Sequence, residues 1–298
     1  MKQIQYLEIT MKYKITCESS ADLNADMYKK LGVPVIPFRI TIGDEDYYDG
    51  KTITNSQLFE YLATCQKLPK TSALNELEYS EFFEEQLKDC DGIIHICISS
   101  LISSTYNNAI TAAKKFDNVY VIDSLSLSSG IGLQVMYACS LRDRDVDIKK
   151  AVELIEKRRS AVQISFVVDK LTYLHKGGRC SALSLLGANL LNIKPCIVVK
   201  NGRMMVNRKY IGKLNKVLDK YVIETLDEYN NPDPTMCFIT YSSATDDMLE
   251  ITRKTLKEKA TFKKVQETIA GCTVSTHCGP NTLGIIYYND GKEPEINE

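Results

Sequence analysis

No two of the 10 cysteines are spaced C-x-x-C, and no cysteine–histidine group has zinc-site spacing, so no metal centre is expected in the 298-residue chain. An excess of either charge is also missing: 37 Lys and Arg stand against 38 Asp and Glu, a formal net charge of -1. That balance removes the electrostatic case for nucleic acid. The tightest basic cluster, Lys157-Arg158-Arg159, closes a predicted helix, where cations suit the negative end of the dipole. No apolar run approaches the roughly 18 residues that span a bilayer. The opening MKQIQYLEITMKYK holds no stretch apolar enough for a signal peptide. Scattered thiols without a secretory segment fit a reducing compartment, so a cytoplasmic location is expected, with at most transient membrane-surface contact. Walker loops, dinucleotide fingerprints and nucleophile elbows are absent. No cofactor is therefore expected, ATP and NAD included.

The length suits two domains of ordinary size. In the first half, apolar strand patterns at 13–17, 33–42, 93–98 and 119–123 alternate with helical ones. That alternation predicts a largely parallel sheet with right-handed crossovers. Ligands of such sheets sit outside the carboxyl ends of the strands. Serine- and threonine-rich loops at 18–20, 99–105 and 124–129 fall at those ends. The second half restarts at Ile164, turns at Gly202 and ends on a strand over 283–288, and a mixed sheet is expected there. The fold class is thus α/β, with domains over 12–160 and 161–290.

Four fragments could carry chemistry. Ser99-Ser100-Leu101-Ile102-Ser103-Ser104-Thr105 joins a buried strand to a helix, where hydroxyls and free amides suit an anion. It is read equally as a helix cap at Ser103 or Ser104. Lys70-Thr71-Ser72 is placed in a loop, and its hydroxyls are by themselves turn chemistry. Gly177-Gly178-Arg179 combines a backbone open to close approach with a guanidinium able to grip a carboxylate or phosphate, or is a surface turn. Of the 3 histidines, His95 reads as a core residue and His175 as solvent-facing. His277, placed in the loop Ser275–Thr282, is the remaining polar donor.

In order along the chain, Glu18-Ser19-Ser20-Ala21-Asp22-Leu23, Lys70-Thr71-Ser72, Ser99–Tyr106, Ile122-Asp123-Ser124, Gly177-Gly178-Arg179 and His277-Cys278-Gly279-Pro280 resemble the DegV family over about residues 12–290. The resemblance implies a bacterial protein that encloses a long-chain fatty acid in a tunnel between two α/β domains. Its implied partner is a separate ATP-binding kinase subunit, which phosphorylates the carboxylate for phospholipid synthesis, so the chain itself is not an enzyme. Thr71 and Ser103 would hydrogen-bond the carboxylate, with Arg179 and His277 at the mouth. The stretch Leu183–Leu191 could line the tail or be an ordinary core helix. Four positions depart from the family pattern: Glu18 for Asp, Asn75 in place of the Ser of Gln-Pro-Ser, Ser104 for Gly and Asn281 for Gly. The alternatives are a serine-dependent acyl hydrolase or transferase pairing Ser103 with His277, and a binder of another small anionic lipid or metabolite.

Overall fold

The computed structural model describes residues 12–64, 67–180 and 193–292. The chain opens with β1 (Tyr13–Glu18), α1 (Ala25–Leu31) and β2 (Val35–Ile36). Asn24 caps α1 by accepting the Met27 amide hydrogen. The single strand expected over 33–42 is two strands. Pro37 has no amide hydrogen to continue a ladder, so β2 stays on the rim of one sheet and β3 (Arg39–Ile42) centres another. β3 pairs antiparallel with β4 (Glu45–Tyr48) and, after α2 (Asn55–Thr64), with β5 (Lys70–Ser72). Lys70-Thr71-Ser72 is therefore a strand rather than a loop, with Thr71 opposite Ile40. A three-residue strand is set by the open edge it completes, which local composition does not encode.

The first half continues through α3 (Glu76–Gln86), β6 (Gly92–Cys97), α4 (Thr105–Ala113), β7 (Val119–Asp123), α5 (Ser129–Arg142) and α6 (Ile148–Arg158). Its main sheet has the order β2-β1-β6-β7 and is parallel throughout, as expected. Every residue of β6 is buried, which accounts for its nearly unbroken apolar run. His95 is a core residue: its Nδ1 meets Thr16 Oγ1 at 2.8 Å and its ring lies among Tyr79, Phe82 and Phe83. Burial there pushes its pKa down to about 3, so the imidazole is neutral.

The second half comprises β8 (Val162–Val167), α7 (Thr172–Gly177), β9 (Ile193–Lys200), β10 (Arg203–Ile211), α8 (Leu214–Glu228), β11 (Cys237–Tyr241), α9 (Asp246–Lys259), β12 (Val265–Ile269), α10 (Cys272–Cys278) and β13 (Leu283–Tyr288). The sheet order is β10-β9-β8-β13-β11-β12, and only β11 and β12 pair in parallel. Alternation along the strands divides the sheet. Val167, Ile285 and Tyr287 join a cluster with residues of α8 and α9, such as Leu218 and Leu256. Ile164, Phe166, Ile286 and Tyr288 enter the same apolar cluster as Ile15, Ile94 and Ile131 of the first half. One core thus crosses the seam between the halves. The boundary expected near Ala161 falls in the short 3-10 turn Arg159–Ala161. Among the described residues no helix is long and apolar enough to cross a membrane. The stretch Leu183–Leu191 lies outside the described residues.

α10 was expected to be part of a loop. Its run Cys-Thr-Val-Ser-Thr-His-Cys is poor in helix formers. It is held from outside. Asp49 accepts the amide hydrogens of Cys272 and Thr273 at 2.7 and 3.1 Å, and Asp22 accepts that of Gly271 at 2.8 Å. Both carboxyls belong to the first half, so this helix exists as a tertiary contact.

Candidate functional site

α10 and β5 bring the distant fragments together. Thr71 Oγ1 lies 2.8 Å from Nε2 of His277, across 206 residues of chain. Thr71, Ser103, Arg179 and His277 all line one cavity of ≈ 320 Å³, with Phe38, Asn107 and Thr273 beside them. Ser103 stands where β6 gives way to α4, at a carboxyl end of the parallel sheet, as expected for ligands of such sheets. Its Oγ accepts from the Thr105 amide at 3.3 Å and from the Thr105 hydroxyl at 2.9 Å. The N-cap position of α4 falls to Ser104, which makes no side-chain cap bond, while Ser103 holds the first amide of the helix with its lone pairs and keeps its own hydrogen to give.

The two glycines before Arg179 have separate causes. A side chain on Gly177 would put Cβ 2.5 Å from His277 Nδ1, so α7 packs against α10 only through a bare Cα there. Gly178 ends α7 at φ 68°, a left-handed value that glycine adopts at little cost. Arg179 is exposed, and its Nη1 donates to the Gly177 carbonyl at 2.7 Å. No carboxylate among the described residues pairs with it. His277 sits in the last turn of α10 rather than in a loop. Burial, and then the nearby Arg179 charge, lower its pKa to about 4, so it is neutral near pH 7. Its Nδ1 is sealed without a partner. Among the described residues Ser103 and His277 share no hydrogen bond, since Nε2 is turned to Thr71.

The other two serine-rich loops do not open on this cavity. Ser19 donates to Asp49, Ser20 to Glu18, Ser128 to Asp22, and Ser129 meets the Thr240 and Thr268 hydroxyls across the seam. A cluster that sequence spacing missed is Glu18, His95 and Cys97, whose donor atoms lie within 4.8 Å of one another on adjacent strands. Glu18 already accepts from the Ile98 amide at 2.8 Å, the Ser20 hydroxyl at 3.3 Å and the Tyr79 hydroxyl. Burial raises its pKa to about 7 against those bonds.

A second cavity, of ≈ 40 Å³ and almost wholly apolar, lies on the other side of α10, lined among others by Leu127, Phe166, Val274, Cys278 and Ile286. The helix thus offers Thr273 and His277 to a polar space and Val274 and Cys278 to an apolar one.

Fold and site together define a two-part α/β protein with hydroxyls and an imidazole gathered in one cavity beside an apolar seam. The chain belongs to the DegV family, whose model (uncharacterised protein, DegV family) matches residues 12–290. It is 31% identical over 279 residues to a DegV domain-containing protein of Clostridium acetobutylicum, covering 93% of this chain and 98% of that one. Its fold is similar to that of a DegV family protein from Thermus thermophilus, described for fatty acid binding: TM-score 0.87, 24% identity, 93% of this chain and 99% of the other. A Thermotoga maritima protein whose structure revealed a fatty acid binding function matches with TM-score 0.79 and 25% identity, over 93% and 99% of the two chains.

Proposed function

We propose that the chain holds a long-chain fatty acid across the seam and presents its carboxylate to a separate ATP-dependent kinase subunit, which forms the acyl phosphate. The observation that carries this reading is the Thr71–His277 hydrogen bond inside a cavity shared with Ser103 and Arg179. With Nε2–H donating to Thr71, the threonine hydrogen is free for a carboxylate oxygen, and Ser103 supplies a second donor. The sealed Nδ1 then keeps a lone pair rather than an orphaned N–H. The tail would follow the apolar side of α10, past Val274 and Cys278. About fourteen methylenes give on the order of 11 kcal/mol of gross burial before ordering costs, so the head need only be satisfied. The fatty-acid-binding relatives support the ligand class; the kinase partner rests on the family resemblance of the motifs.

Protein purified without added lipid should release an acyl chain on organic extraction, identified by mass spectrometry. Delipidated protein should unfold at a higher temperature with palmitate or oleate. Recovering no acyl chain, together with no thermal shift, would overturn the proposal. Oleate phosphorylated only when a fatty acid kinase subunit and ATP are added would sustain its second half, and phosphorylation by the chain alone would refute it.

A further inference from the structure

The hydroxyls of α10 and the strand start after it follow one habit with a single exception. Ser275 donates to the Ala270 carbonyl at 3.0 Å, Thr276 to that of Cys272 at 2.8 Å and Thr282 to that of Cys278 at 3.0 Å. Thr273 does not: its Oγ1 is sealed from solvent and has no partner. Thr273 is nevertheless among the residues that line the cavity of Thr71, Ser103 and His277. It precedes His277 by four residues, so the two project from one face of the helix. Its backbone is pinned, because its amide donates to Asp49 at 3.1 Å. Folded proteins keep few buried hydroxyls unpaired, and each needs a reason.

We infer that Thr273 is a headgroup-contact residue, whose hydroxyl donates to the bound carboxylate and selects an ionised acceptor head over an alcohol. The inference rests on the acyl-carboxylate reading above. In a helix, threonine has two populated staggered positions about χ1. Rotation about χ1 carries Oγ1 from its sealed position to the other staggered position, where on this inference it meets the carboxylate. Thr71, Ser103 and Thr273 then make three donors. A carboxylate has about four lone-pair sites and no hydrogen, so it accepts all three. An alcohol has two lone pairs and brings a hydrogen of its own, which leaves one donor unmet.

The test uses the delipidated full chain with Thr273→Val and Thr273→Ser, measuring affinity for oleate and for oleyl alcohol and the denaturant midpoint without ligand. Valine keeps the shape and removes the hydroxyl, so the ligand-free midpoint should hold or rise. Oleate affinity should fall ~10-fold, as for one lost hydrogen bond to a charged group. Oleyl alcohol affinity should stay within ~2-fold, and Thr273→Ser should keep wild-type oleate affinity within the same ~2-fold margin. Unchanged oleate affinity in the valine variant overturns the inference while the acyl reading stands. So does an equal loss for oleate and oleyl alcohol, or a serine variant as weak as valine. Wild-type protein that binds neither ligand overturns the acyl reading, and this inference with it.

Discussion

Arg158 is 5% exposed, and its guanidinium donates to Asp233 at 2.5 Å and to Asp290 at 2.9 and 3.2 Å, with the Tyr288 ring 3.8 Å and the Tyr137 ring 4.9 Å away. Arg179 is exposed and holds a backbone carbonyl of its own turn. β13 runs between the two: Tyr288 at one end stacks on Arg158, and Leu283 at the other follows the segment that carries His277. The same side chain thus serves two ends of the seam. Where cation, carboxylates and rings saturate one another, the halves are joined and nothing is left to bind. Where the cation lacks a carboxylate, the structure gains little stability from it and keeps a charge available.

The largest effect should come from Arg158→Met, which strands Asp233 and Asp290 at the seam. Unfolding free energy from a denaturant titration should fall by about 3–5 kcal/mol. A loss below ~1 kcal/mol would erase the contrast with Arg179. Next in size is the pH dependence of His277. Its folded pKa of about 4 lies below the unfolded ~6.5, so its contribution is fully present above pH ~6.5 and is lost as pH falls toward 4. Relative to a His277→Gln variant, wild type should lose on the order of 3 kcal/mol across that window. An imidazole that titrates by NMR near its ordinary value would contradict the sealed site. Thr71→Val should then weaken oleate binding ~5–10-fold, as for one hydrogen bond, with little change in stability. Unchanged affinity would remove Thr71 from the headgroup. Arg179→Ala should act least on folding, shifting stability by less than ~0.5 kcal/mol. The same change should raise the His277 pKa by removing a neighbouring charge, and should slow acyl phosphate formation with a kinase subunit more than it weakens oleate binding. Equal losses of binding and phosphorylation would place Arg179 in the tunnel rather than at its mouth.

The parallel sheet was legible because β6 is a buried strand whose composition says so, and β7, a half-buried edge strand, and β13 occupy the residues expected of them. The four site positions were legible as fragments, and their meeting in one cavity was expected only through the family resemblance, not from their spacing. Where the chain misled, structure comes from distant partners: β5 exists because β3 has a free edge, and α10 because Asp49 and Asp22 take its first amides. Lys157-Arg158-Arg159 was read only as a dipole match, since Asp233 and Asp290 are far along the chain. The departures from the family pattern also have local reasons. Ser104 has φ -78° and ψ -3°, an ordinary backbone that does not require glycine. Asn281 has φ 57°, which asparagine tolerates better than most residues. Asn75 forms a capping box with Glu78, a role serine also fills. The longer Glu18 reaches Tyr79 and the Ile98 amide together.

The small sheet has a consequence for how the protein is made. Its apolar centre, Ile40, Ile53 and Leu58, is closed by Cys272, and its Thr71 meets His277. At about 5–20 residues per second, a ribosome needs ~10–40 s to travel from position 71 to position 277. For that interval the nascent chain carries a hydroxyl strand with no partner and a core with one wall missing. On the acyl reading, the cavity is incomplete until α10 has been made, and a chain that stops short of α10 lacks both the wall Cys272 supplies and the partner of Thr71.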